Sequence, residues 1–276
     1  MLKFIFLDRN AISCIKENLA GKKPDPEMLK RLRKLRQFDK ESFIVSPMLS
    51  IIEGQIGKRE DEEQKLNTIK VESAAVSDFF LHARTDSGFI EVAANEIANI
   101  FSENIEGNWV GYIDFLKVIQ EMLYQSISKA NRPKYKSDIL QLAKKNNIPL
   151  AHPIVICCLA VLYGNNDVRS ILKPKKNIAE DSKNKAAYNA LNDILLISRL
   201  GHIQAVFNKY GNGRVVVEFL TFDKGLEFFL KKTKIIDIKL NDDGEVFITA
   251  ISSQEFFPDL NESSHIALFD ELREKS

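Results

Sequence analysis

Four acidic residues stand where an α/β fold would place a ligand site: Asp8, Glu53, Asp193 and Asp223. Asp8 and Asp223 each come at the end of an apolar run typical of a buried strand, and open parallel sheets bind their ligands at such strand ends. Glu53 and Asp193 lie on apolar helix segments, where an unpaired carboxylate is costly unless a cation compensates its charge. The pattern predicts that the four carboxylates gather around a cation.

Polar and basic neighbours of these acids complete the candidate site. Asn10 follows Asp8 by two residues and could reach the same site as a neutral donor that holds a ligand in place. Asn189 lies one helical turn before Asp193, on the same helix face. The candidate substrate contacts are the basic residues next in sequence to the two strand-end acids, Arg9 and Lys224.

The elements that must position these residues are strands at both ends of the chain and helices between them. Strands are predicted at 3–7, 42–46, 214–220, 235–240 and 245–251. Helices are predicted at 11–19, 27–38, 47–57, 71–82, 90–105, 110–129, 137–146, 153–163, 178–200, 223–232 and 263–274. The helix after 42–46 has a typical start, because Ser46 precedes Pro47. Further predictions are a polar stretch at 58–70, a helix end at Gly201 and a hairpin turn at 241–244.

This order of elements also predicts the domain organisation. A length of 276 residues is enough for one large domain or two small ones. Two β-containing ends that enclose a helical middle are typical of one α/β domain with an insertion. We expect residues 1–57 and 178–276 to form a discontinuous α/β core, and residues 58–177 to form a mostly helical insertion.

The composition excludes several functional classes. The 39 Lys and Arg residues nearly balance the 38 Asp and Glu residues, so bulk charge alone does not bind nucleic acid. The most apolar run, 153–163, is shorter than the roughly 20 residues of a membrane span, and the apolar start meets Asp8 too early for a signal peptide. Three cysteines without a CxxC pair predict a cytoplasmic location, and four scattered histidines do not indicate a zinc site.

Four segments of the sequence resemble the PIN domain family, whose members are metal-dependent nucleases of single-stranded RNA and structured nucleic acids. The segments carry the family's acids in order, with Ser46 after the second strand and Thr221 just before Asp223. The resemblance covers the two ends of the chain, less than half of its length. The segments are Phe4-Ile-Phe-Leu-Asp-Arg-Asn10, Phe43-Ile-Val-Ser-Pro-Met-Leu-Ser-Ile-Ile-Glu53, Ala190-Leu-Asn-Asp-Ile-Leu-Leu-Ile197 and Leu220-Thr-Phe-Asp-Lys-Gly-Leu226.

The resemblance implies a three-layer α/β sandwich around a central, mostly parallel sheet. It also implies an endoribonuclease that uses Mg²⁺ or Mn²⁺ to hydrolyse phosphodiester bonds of single-stranded RNA. Oxygen ligands suffice for these hard cations, so the four acids would be the metal ligands. The expected partner is RNA and not a membrane, and a homodimer or a regulatory protein partner stays open. The residues expected to support the ligands are Asn10, Ser46, Asn189 and Thr221.

Three other functions stay open from the sequence. A non-catalytic PIN-like scaffold would use its helical insertion to bind another protein. A haloacid-dehalogenase-like phosphatase also begins with a strand that ends in Asp, but its chemistry requires a second Asp where this chain has Asn10. In the third, all of these acids belong to the surface of an α/β protein with a different function.

Overall fold

The computed structural model describes residues 2–54, 57–102, 108–210, 215–240 and 246–274. The strands are β1 Leu2–Leu7, β2 Phe43–Ser46, β3 Arg84–Thr85, β4 Val215–Leu220, β5 Thr233–Leu240 and β6 Val246–Ser252. The helices are α1 Arg9–Leu19, α2 Pro26–Arg36, α3 Met48–Glu53, α4 Glu62–Phe79, α5 Ser87–Val92, α6 Ala94–Ser102, α7 Trp109–Met122, α8 Arg132–Lys145, α9 Pro153–Leu162, α10 Asn166–Leu172, α11 Glu180–Tyr210, α12 Lys224–Lys232 and α13 Glu262–Glu274. The predicted hairpin turn at 241–244 lies outside the described residues.

Four strands form one parallel sheet in the order β3-β2-β1-β4. Within it, Phe6 of β1 is paired with Ser46 of β2, and Leu7 of β1 is paired with Leu220 of β4. β2 is paired in turn with β3. Because all four strands run in the same direction, the residues that follow them lie along one edge of the sheet. The predicted α/β class with a parallel central sheet is confirmed.

Helical side chains pack on both faces of this sheet. On one face, Ile5, Leu7 and Val45 belong to an apolar core that also contains residues of α1, α2 and α4. On the other face, the ring of Phe4 lies 4.8 Å from the ring of Phe207 of α11. Alternate residues of β1 are therefore buried on opposite faces, which explains why its sequence is apolar without alternation.

The contacts of the chain divide it into two compact units. The first unit contains Met1–Ile105, Arg199–Asp223 and Ile238–Phe247, and therefore the parallel sheet. The second unit contains Glu106–Ser198, Lys224–Asp237 and Ile248–Ser276. Its helix α9 is almost completely buried. Residues 58–105, placed in the insertion by the sequence, contribute α4 and β3 to the first unit, because α4 packs on α1 and β3 extends the sheet.

The helix predicted at 71–82 begins earlier than expected, because α4 starts at Glu62 and includes most of the polar stretch 58–70. Asp61 caps this helix: its side chain accepts a hydrogen bond from the Gln64 N–H, and the Gln64 side chain accepts one from the Asp61 N–H. Such a capping box is a helix start that can be recognised from sequence. Val76 and Phe79 then anchor α4 in the apolar core beside the sheet.

The ends of three predicted helices are also wrong. The helix predicted at 110–129 already ends at Met122. α3 ends at Glu53 rather than at Gly57, because Gly54 adopts a φ of +69° that terminates the helix. α11 continues through Gly201 to Tyr210, although glycine costs about 1 kcal/mol inside a helix. Burial of Ala205 and packing of the Phe207 ring offset that cost. The sequence also missed the short α10, and its single helix at 90–105 is two helices, α5 and α6.

Candidate functional site

Asp8 is a buried carboxylate held between the ends of β1 and β4. Its backbone N–H donates to the Leu220 carbonyl at 3.0 Å, which continues the pairing of the two strands. Its Oδ2 oxygen accepts a hydrogen bond from Thr221 Oγ1 at 2.8 Å and another from Asn10 Nδ2 at 3.0 Å. Two donors on one oxygen fix the orientation of the carboxylate.

Burial raises the pKa of Asp8 above its ordinary value. The hydrogen bonds from Thr221 and Asn10 and the charge of Arg9 act in the opposite direction, but they do not cancel the desolvation. The ionised form of Asp8 is therefore short of compensating charge. A cation bound next to it would supply that charge.

Thr221 connects Asp8 to Asp223. The Thr221 hydroxyl donates to Asp8 and accepts a hydrogen bond from the backbone N–H of Asp223 at 3.0 Å. After β4 the chain therefore turns so that the backbone of Asp223 contacts the same Thr221 hydroxyl that binds Asp8. The structure brings together four of the residues predicted from sequence: Asp8, Asn10, Thr221 and Asp223.

Glu53 reaches this edge of the sheet through Arg9. Glu53 is the last residue of α3, and its Oε1 oxygen forms an ion pair of 2.7 Å with the Arg9 guanidinium. Arg9 also donates to the Gly54 carbonyl at 2.6 Å. Both groups are largely buried, so the Arg9 side chain binds the end of α3.

A second cation, Lys65, also binds the end of α3. The Lys65 ammonium donates to the Ile51 carbonyl at 2.6 Å and forms a buried ion pair of 2.8 Å with Glu60. Gly54 adopts a φ of +69°, which strains any other residue, and a Cβ atom there would lie 2.8 Å from the Glu60 carboxylate and 2.9 Å from the Lys65 ammonium, so both side chains would have to shift. Lys65 and Arg9 together satisfy carbonyls that the end of α3 leaves open.

Asp86 is a further acid at this edge that the sequence analysis missed. It follows β3 directly and accepts a hydrogen bond from the fully buried Ser46 at the end of β2. The Oδ1 atom of Asp86 is buried without a hydrogen-bond partner among the described residues. Burial raises the pKa of Asp86 to about 6, although a hydrogen bond from Ser46 partly opposes this. Ser46 therefore faces a carboxylate that the sequence did not indicate.

Replacing Asp86 with Asn is expected to stabilise the protein at pH 7 by about 1–3 kcal/mol. An acid whose pKa is raised in the folded state holds its proton more tightly there, so wild-type stability falls as the pH rises from 3.8 to about 6. The gain of Asp86→Asn should therefore be absent below pH 4 and complete above pH 6. Urea unfolding at several pH values measures it.

Asp39 provides a control of opposite sign. Burial opposes its ionisation, but backbone hydrogen bonds, led by those from Ala83 and His82, together lower the pKa of Asp39. Asp39→Asn should therefore destabilise the protein at pH 7, and the loss should disappear as the pH falls. If both variants respond to pH with the same sign, the assignment for Asp86 is wrong.

Three predicted site residues lie in the second unit: Asn189, Asp193 and Lys224. Asp193 lies on α11, and its Oδ2 oxygen accepts a hydrogen bond from the Lys173 ammonium at 3.2 Å. Asn189 lies one turn earlier on the same helix, and Lys224 is the first residue of α12. Within its own unit, Asp193 therefore already has a cationic partner.

The donor atoms of the first unit suit a hard divalent cation. Asp8, Glu53 and Asp223 offer only oxygen, which Mg²⁺ and Mn²⁺ prefer, and the charge of Arg9 does not fully offset the burial of Asp8. Across the described ranges, however, no group of three or more His, Cys, Asp or Glu side chains is arranged to hold a metal ion. The residues fit such an ion by donor chemistry, while Arg9 supplies the positive charge next to Glu53.

Comparisons of the chain with known proteins gave no relative: no family model, curated protein or solved structure matches it.

The lengths and hydropathies of the helices bear on membrane insertion. In the part of the chain that the structure describes, no helix is both long enough and apolar enough to cross a bilayer.

Proposed function

We propose that this chain is a metal-dependent endoribonuclease that hydrolyses phosphodiester bonds of single-stranded RNA. The observation that carries the proposal is the hydrogen-bonded connection from Asp8 through Thr221 to Asp223 at the carboxyl edge of the parallel sheet. Open α/β sheets bind ligands at this edge. The connection unites two acids from opposite ends of the sequence, and the resemblance to the PIN family supplies the reaction class.

Within this proposal, Asp8 and Asp223 would hold Mg²⁺ or Mn²⁺. The bound ion would supply an activated water and compensate the charge on the phosphate oxygens. Thr221 and Asn10 bind one oxygen of Asp8 and so fix how its carboxylate is presented. Arg9 neutralises Glu53 and holds it near this edge. Asp193, Asn189 and Lys224 belong to the proposal through the sequence alone.

A non-catalytic scaffold that binds another protein is the second candidate. Two observations favour it: Arg9 already neutralises Glu53, and the apolar side chains of Phe89 and Val92 on α5 are largely exposed. The phosphatase alternative loses support, because the Asn10 amide donates to Asp8 and no second carboxylate occupies its position.

Cleavage of a labelled RNA distinguishes the two candidates. Purified protein is incubated with a single-stranded RNA that carries a label at its 5′ end, with Mn²⁺ or with EDTA. The nuclease proposal expects internal cuts with Mn²⁺ and an intact RNA with EDTA. An RNA that stays intact with Mn²⁺, with Mg²⁺ and with EDTA supports the scaffold and contradicts the nuclease.

A further inference from the structure

One face of α2 carries four positive charges close to the carboxylate edge of the sheet. Its residues are Lys30, Arg31, Arg33 and Lys34, here called the α2 basic face. The opposite side of the helix is apolar, and Met28 and Leu35 are buried in the core. α2 therefore packs on the first unit with one side and presents cations on the other.

Phe222 places this face next to the candidate site. The Arg31 guanidinium lies 5.4 Å from the centre of the Phe222 ring, and the Lys34 ammonium lies 5.8 Å from it. Phe222 stands in sequence between Thr221, which hydrogen-bonds to Asp8, and Asp223. Two cations of α2 therefore contact the residue that lies in sequence between the Asp8 partner Thr221 and the acid Asp223.

These charges are poorly compensated within the described residues. Lys30, Arg33 and Lys34 form no ion pair there, and Arg31 approaches only the exposed Glu27, at 3.5 Å. Arg36, on the same helix, differs: it donates to the Phe79 carbonyl and lies over the Phe79 ring. Arg36 therefore belongs to the packing of α2, whereas Lys30, Arg33 and Lys34 have no anionic partner among the described residues and Arg31 has only the exposed Glu27.

We infer that the α2 basic face binds the phosphate backbone of a single-stranded nucleic acid and brings it past Phe222 to Asp223 and Asp8. The inference deepens the proposed function, on which it rests for its choice of ligand. Carboxylates repel phosphates, so a strand reaches an acidic site only if neighbouring cations hold it. The net charge of +1 provides no bulk attraction, which leaves this task to a local surface.

The dimensions of the face suit one strand. Lys30 and Lys34 form a short row along α2, separated by one helical turn and a rise of about 6 Å, with Arg31 and Arg33 on either side of this row. Such a row contacts the backbone of one strand and reads no base, which predicts binding without sequence preference.

Binding without cleavage tests the inference. Fluorescence anisotropy is measured with a labelled oligouridylate of about 20 nucleotides in EDTA, over a range of salt concentrations. The variant replaces the whole face: Lys30→Gln, Arg31→Gln, Arg33→Gln and Lys34→Gln. We expect at least a tenfold loss of affinity at low salt and a salt slope shallower by about 2–3, at roughly 0.7 per lost phosphate contact.

A control variant makes the same change of net charge elsewhere. It replaces four exposed lysines at and next to α8: Lys129→Gln, Lys134→Gln, Lys144→Gln and Lys145→Gln. Its affinity should stay within twofold of wild type. Equal losses in the two variants, or wild-type binding by the α2 variant, would overturn the inference. If the fourfold α2 variant does not fold, the double variant Lys30→Glu/Arg33→Glu replaces it, since both residues are exposed.

The same experiment with an oligodeoxynucleotide tests backbone recognition. Equal losses for RNA and DNA support it, and a loss confined to RNA contradicts it, because phosphates are common to both. The binding assay can fail independently of the cleavage assay.

If wild type binds through α2 but cuts no RNA, the nuclease proposal fails and the binding inference stands. If wild type cuts RNA and the α2 variant binds normally, the binding inference fails and the nuclease proposal stands.

Discussion

Replacing Asp8 with Asn should lower the rate of Mn²⁺-dependent RNA cleavage by about 10²–10³ while the protein stays folded. Loss of a ligand that positions transition-state charge costs about 3–4 kcal/mol. Burial raises the pKa of Asp8, so its ionised form destabilises the metal-free fold at neutral pH. Asn keeps an acceptor for the Thr221 hydroxyl and removes the charge, so its metal-free stability should match or exceed wild type. Single-turnover cleavage and thermal melting measure the two effects.

Asp78→Asn on the exposed side of α4 makes the same change of charge away from the site. It should behave as wild type in both measurements. Mn²⁺ at ten times its dissociation constant should stabilise wild type and Asp78→Asn by about 1.4 kcal/mol, and Asp8→Asn by much less. Wild-type cleavage by Asp8→Asn, or an equal response of all three proteins to Mn²⁺, would exclude Asp8 from the mechanism.

Replacing Lys65 with Met should destabilise the protein by about 3–5 kcal/mol. Lys65 and Glu60 are both almost inaccessible to solvent, and the change leaves the Glu60 carboxylate as an uncompensated buried charge. The Ile51 carbonyl also loses its donor at the end of α3. The melting temperature should fall by roughly 6–20 °C for a chain of this size.

Two further proteins isolate the cause of that loss. The double variant Glu60→Gln/Lys65→Met removes both charges and should recover most of the stability. Lys231→Met breaks a pair of the same 2.8 Å length, between Lys231 and Glu227, that is exposed, and it should cost less than about 1 kcal/mol. A similar cost for Lys65→Met and Lys231→Met would show that the buried pair contributes no more than a surface one.

The sequence predicts the central strands and the residues at their ends because both leave a local signal. The run before Asp8 and the run before Thr221 are rich in β-branched and aromatic residues, and each ends in polar residues. Parallel strands then bring those ends to one edge without any knowledge of side-chain contacts. The proximity of Asp8, Thr221 and Asp223 follows from this rule.

The features that the sequence missed leave no such signal. Asp86 follows a strand of two residues, which is too short to show a period. Arg9 and Glu53 are 44 positions apart in the sequence. Their ion pair forms only when α3 packs beside β1, so the sequence does not indicate it. The buried Lys65 reads in sequence as one charge among many, since burial is a property of the folded chain.

The pairing of β1 with β4 also sets when this protein can assemble during its synthesis. Phe6 meets its β2 partner Ser46 within 40 residues, whereas Asp8 and Thr221 are 213 residues apart. At about 5–20 residues per second, β4 leaves the ribosome roughly 10–40 s after β1. Throughout that interval the nascent chain carries Asp8 without Thr221 or Asp223. The carboxylate edge is therefore incomplete until synthesis has passed residue 223. The messenger RNA being translated does not meet a completed edge before then.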